Sequence, residues 1–85
     1  MEKKKTNKKT TKKTIARAEL DKNFYSLFAI EKAVEAFKDV CSVNIGENQR
    51  DYPVILSAYD DTDIELIKDE FLNYVLGIMK EEKLT

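Results

Sequence analysis

Apolar and polar positions fall into five patterned segments along this chain. From Thr14 to Leu20 the period is two, with Ala16, Ala18 and Leu20 on one face and Ile15, Arg17 and Glu19 on the other, as a strand covered on one side requires. After Ser26, whose hydroxyl suits a helix N-cap, Leu27, Ile30, Ala33, Val34, Phe37 and Val40 recur at helical spacing. Glu31, Lys32, Glu35, Lys38 and Asp39 take the opposite face, which predicts a helix over 26–39. Cys41, Val43 and Ile45 then alternate with Ser42 and Asn44. The polar turn Gly46 to Asp51 leads to a second β-rich run, Tyr52 to Tyr59, with Val54, Leu56 and Ala58 on one face, and the pair reads as an antiparallel hairpin. Pro53 cannot donate to a ladder, so it belongs at the start of its strand or on an outward-facing side.

The last rhythm is again helical. Thr62 and Glu65 match a capping box, and Asp63 favours the positive end of the helix dipole. The expected stripe is Ile64, Ile67, Phe71, Tyr74 or Val75, and Ile78, with Lys80 and Lys83 near the C-terminal end. Leu66, Leu72, Leu76 and Met79 fall outside that stripe and widen the apolar surface. Either the broad face nests into the sheet and first helix, or Leu72, Leu76 and Met79 form a seam for a partner helix or a second copy. Gly77, in mid-helix, invites a packing reason such as the close approach of another backbone.

The order β-α-β-β-α predicts an α+β two-layer sandwich, a three-stranded sheet with two helices on one face. With the third strand between the other two, this is a ferredoxin-like unit lacking its final strand, and strand one is left with an open edge. Ala16, Arg17, Ala18 and Glu19 are then candidates for binding an extended peptide by strand addition.

Charge divides the chain more sharply than the net −1 suggests. Residues 1–14 hold seven lysines against Glu2, while 15–85 hold eight basic and 15 acidic side chains, so a tail of +6 precedes a body of −7. A Lys, Thr and Asn segment has nothing to bury, and 1–14 are expected to be a disordered tail ahead of a single domain over 15–85. Such a tail either stays solvated, or folded back loosely on the acidic body, or makes non-specific, salt-sensitive contacts with nucleic acid or an anionic membrane, since it lacks arginine forks and aromatic platforms.

Candidate chemistry is sparse. The chain has no histidine, and its lone Cys41 has no imidazole to activate it; it reads as a small buried hydrophobe. Asp60, Asp61 and Asp63 lack the glycine and terminal glutamate of a calcium loop, and helix capping accounts for much of their acidity. Gly46 and Gly77 make no phosphate-cradling loop. The expectation is a non-enzymatic protein without metal or cofactor. No apolar run approaches the roughly 20 residues of a membrane span, and no apolar segment follows the N-terminal charges, which predicts a cytoplasmic protein without membrane association.

Phe24-Tyr25-Ser26, the first helix with Ala33, Ala36 and Phe37, the short hairpin, and Glu70-Phe71-Leu72-Asn73 together resemble HxsD, the small D component of the His-Xaa-Ser peptide-modification system, over about residues 15–80. Phe71-Leu72-Asn73 matches the leucine-leucine-asparagine start of that family's C-terminal signature. Tyr74, Val75, Leu76, Gly77 and Ile78 depart from its subsequent acidic, aromatic and leucine-arginine positions. The resemblance implies an accessory role beside a radical SAM enzyme and a repeat-bearing precursor, with no catalytic residue in the small protein itself. The expected partner is a precursor peptide or a maturation enzyme. The alternative is a regulatory or nucleic-acid-associated protein acting through its basic tail, which is not part of the family pattern.

Overall fold

The computed structural model describes residues 14–82; the lysine-rich segment, apart from Thr14, lies outside them. Five elements occur in chain order: β1 (Ile15–Asp21), α1 (Leu27–Phe37), β2 (Cys41–Ile45), β3 (Asp51–Ala58) and α2 (Ile64–Glu81). The strands form one antiparallel sheet in the order β1-β3-β2, so the third strand is central and the first and second are its edges. This is the split β-α-β arrangement of a ferredoxin-like unit, and the fourth strand of such a unit has no counterpart among the described residues.

Register determines which side chains share a face. Ala16 and Val43 flank Leu56, Ala18 and Ile45 flank Val54, and Cys41 meets Ala58. These residues, with Leu20, point toward the helices, and Ala16, Leu20, Cys41, Val54 and Leu56 are buried. The other face presents Ile15, Arg17 and Glu19 from β1, Ile55 and Ser57 from β3, and Ser42 and Asn44 from β2. Both helices cover the first face, α1 against β2 and α2 against β1 and β3. The core therefore has two layers, closed by Ala29, Ile30 and Ala33 of α1 and by Ile64, Ile67, Phe71, Val75 and Met79 of α2. The Phe37 ring meets the Phe71 ring edge-on at 5.5 Å and Tyr74 at 5.7 Å, which locks the two helices together.

Helix ends show where local chemistry competed. Ser26 caps α1, its hydroxyl accepting from the Ala29 amide. The helix stops at Phe37, two residues before the expected end, because the chain must turn into β2: the Val40 amide donates back to the Phe37 carbonyl, and Val40 is left half exposed instead of joining the core. Ala29, outside the predicted stripe, is fully buried, its methyl being small enough to let the helix sit close to its neighbours. At α2 the cap is Asp63, whose carboxylate accepts from the Glu65 amide at 3.0 Å, and not Thr62. Thr62 is drawn away by Asp60, which accepts from both its amide and its hydroxyl.

Pro53 lies in the central strand. Its carbonyl accepts from the Gly46 amide at 2.7 Å, and since N–H and C=O of one residue point to the same neighbour in an antiparallel ladder, the donor it lacks would also have faced Gly46. That position is just past the end of β2, where the ladder gives way to the turn, so the proline removes a bond only at the hairpin's mouth. Asn48 then holds the turn, its side-chain oxygen accepting from the Arg50 and Asp51 amides.

Candidate peptide-docking edge

Strand β1 ends the sheet, and the question is which of its backbone groups remain free. In an antiparallel ladder successive residues turn their N–H and C=O alternately toward and away from a given neighbour. The Ala58 amide donates to the Thr14 carbonyl at 2.8 Å, and the Lys22 amide to the Arg50 carbonyl at 2.9 Å. Both bonds lie on the register that pairs Ala16 with Leu56, Ala18 with Val54 and Leu20 with Tyr52. Even-numbered residues of β1 thus bond to β3. Ile15, Arg17 and Glu19 aim their backbone groups outward, where no described strand meets them. The row ends at Asp21, whose carbonyl accepts from the Phe24 and Tyr25 amides of the following turn.

The candidate residues of this strand occupy three different environments. Ala16 is buried and Ala18 half-buried, both facing α2. Arg17 and Glu19 stand on the solvent face, joined by an ion pair of 2.7 Å between Nε and Oε2. This pair is exposed at both ends, so it orders the two side chains without adding much stability.

Helix α2 forms a roof over the edge. Its Phe71 and Tyr74 side meets α1, so at about 100° per residue the opposite flank carries Lys68, Leu72 and Leu76. Because α2 packs on β1 and β3 while α1 packs on β2, this flank faces outward past β1. Leu72 is half-buried against the core, and Leu76 remains 44% exposed. Lys68 holds Glu65 at 3.0 Å on the same flank. Met79 corrects the expected apolar seam: it is buried, 2% exposed, and closes the end of the core stripe in place of the half-buried Ile78. Tyr74 likewise gives way to Val75 in that stripe, because its position directs it toward Phe37. Gly77 offers no close approach, since a Cβ there would meet nothing within 4 Å.

Two candidates from distant parts of the sequence therefore converge. Backbone groups of Ile15, Arg17 and Glu19 lie along the edge that the Leu72 and Leu76 flank overhangs, a ledge with hydrogen-bonding groups on its inner wall and apolar carbon above. Sequence reasoning missed the part played by Ile15, 62% exposed, whose backbone starts the free row. No residue type signals that role; it comes from pairing parity alone. The opposite edge, β2, turns the backbone groups of Cys41, Val43 and Ile45 outward by the same parity, but it is only five residues long. Its roof includes the carboxylate of Glu31 beside Ile45 and Gly46, so an apolar strand is less well matched there.

Among the described residues no group of three His, Cys, Asp or Glu side chains is placed to hold a metal ion, and no helix is long and apolar enough to cross a membrane. The Cys41 thiol is buried, and burial pushes its pKa up, which disfavours the nucleophilic thiolate. Compared with known proteins, the chain matches no family model, no curated protein and no solved structure.

Proposed function

We propose that this protein is a non-catalytic accessory module that captures an extended peptide segment as a fourth strand beside β1. The observation that carries the reading is the free backbone row of Ile15, Arg17 and Glu19 beneath the exposed flank of α2. A segment that pairs with this row satisfies its own backbone groups, and every second side chain turns under α2 to cover Leu72 and Leu76. Each methylene so buried contributes about 0.8 kcal/mol. Alternate side chains emerge on the solvent face beside Arg17 and Glu19, where a residue of either sign finds a partner. The favoured ligand is thus a short extended stretch with apolar residues at alternate positions.

The HxsD resemblance supplies the biological setting for this reading: the captured segment is part of a ribosomally made precursor, held for a radical SAM maturation enzyme that brings the chemistry. A module that only holds its peptide needs no cofactor of its own.

The experiment is a calorimetric titration of candidate precursor peptides into the full chain, the Arg17→Pro variant and a chain lacking residues 2–13. Proline at position 17 deletes one outward donor and leaves a peptide carbonyl unpaired, a loss of about 1–3 kcal/mol, or about 5- to 150-fold in affinity. Removal of 2–13 should leave affinity unchanged. Undiminished affinity in folded Arg17→Pro would move the site off the edge, and loss of binding on deleting 2–13 would transfer the role to the basic tail and its anionic partners.

A further inference from the structure

We infer that the β1 edge is also self-complementary, and that two copies of this chain pair β1 against β1 about a two-fold axis at Ala18, giving one six-stranded sheet. The inference rests on the same open row as peptide capture, although it requires no peptide.

Pairing parity restricts the register. Among the described residues of β1, Ile15, Arg17 and Glu19 send both backbone groups outward and Asp21 its amide, so an antiparallel partner must match odd-numbered residues with odd-numbered ones. Two two-fold registers lie near the middle of the strand. One is centred on Arg17 and sets the two guanidinium groups directly opposite each other. The other, centred on Ala18, sets Arg17 opposite Glu19 of the second copy, and does so twice. Directly opposed like charges destabilise a strand pair and opposite charges stabilise it, which selects the second register. The ion pair now made within one strand, at 2.7 Å, becomes a four-charge cluster on the solvent face.

The helix layer is compatible with β1-to-β1 pairing as such, in either register. Helix α2 packs on both β1 and β3, so it lies over that strand pair. Its counterpart in the second copy lies over the equivalent pair, two strand spacings away, or about 9.6 Å at roughly 4.8 Å per spacing. Packed helices have axes about 8–10 Å apart, so the sheet can close without driving the helices into each other or leaving a gap between them. The residues brought to this contact are Leu72 and Leu76 of both copies, with Ala18 facing Ala18 beneath them. Larger side chains at position 18 would prop the helices off the sheet. Self-pairing covers the same ledge that a peptide would take, so peptide and second copy exclude each other.

Sedimentation velocity on the full chain at rising micromolar concentration is the test, with charge reversal to identify the register. Wild type should shift from monomer to dimer. Arg17→Glu alone, or Glu19→Arg alone, places four like charges on the axis and should weaken self-association by at least about tenfold. An equimolar mixture of the two variants should recover the dimer, because each then presents the complement of the other. Leu76→Glu, with both reversed positions left native, should also give a monomer, since it brings charge into the helix contact. A wild type that stays monomeric overturns self-pairing and leaves the peptide titration untouched. Single variants that dimerise as wild type does, or a mixture that fails to recover, overturn the Ala18 register. A dimer that no peptide dissociates counts against peptide capture instead.

Discussion

Adjacent prolines in β1 should have opposite consequences, and the contrast tests the pairing parity on which the edge depends. Arg17 turns its amide away from β3 and Ala18 turns its amide toward it, although the two residues are neighbours in a regular strand. Ala18→Pro removes a ladder donor and leaves the carbonyl of buried Val54 without its partner. An orphaned buried acceptor costs about 1–3 kcal/mol, and the proline ring adds to this by crowding the central strand. For a domain of this size each kcal/mol lowers the melting temperature by about 4–8 °C, so a fall of roughly 4–24 °C is expected from the lost bond alone. Arg17→Pro removes only an outward-facing N–H on an edge strand, where proline is tolerated, and its effect should stay within about 1 kcal/mol. Thermal unfolding followed by far-ultraviolet circular dichroism measures both variants against wild type. Equal destabilisation by the two prolines, or a larger loss at position 17, would refute the assignment of the free row and with it the docking edge.

Three further outcomes are expected from the same packing. Asp63→Ala should cost about 1 kcal/mol by removing the α2 cap, whereas Thr62→Ala should be near neutral; chemical denaturation midpoints compare them directly. Phe71→Ala should cost about 3–5 kcal/mol, because the ring is fully buried and joins α1 to α2 through Phe37, and a domain this small should then be largely unfolded by the same assay. Burial holds the Cys41 thiol above its ordinary pKa. Its contribution to stability is therefore complete below the unfolded-state value and is lost as pH rises through the folded one, so wild type should lose more stability than Cys41→Ala between neutral and alkaline pH. A thiol reagent should label native Cys41 slowly and the denatured chain at once.

Much of this architecture is legible in the residue pattern, and the reason is local. Strand alternation assigned Ala16, Ala18 and Leu20, then Val54, Leu56 and Ala58, to one face because a pleated backbone has a period of two whatever its neighbours. Ser26 announced α1 through a hydroxyl that only has to reach the first turn. The β-α-β-β-α order left few ways to stack two helices on three strands, and the central placement of the third strand was among them. The remaining features were decided between elements that are distant in sequence. Val75 and Met79 took core positions because α1 occupies one side of α2, pulling Tyr74 toward Phe37 and setting the rotation of the whole helix. The same rotation withdrew Met79 from the surface while leaving Leu76 exposed. Capping passed from Thr62 to Asp63 through competition within a loop whose shape the motif does not encode. Which backbone groups of β1 remain free was beyond any reading of side chains, since every residue but proline carries the same N–H and C=O. Their direction was set by the register with β3, a tertiary fact, and that register placed the free row and the leucine flank on a common ledge.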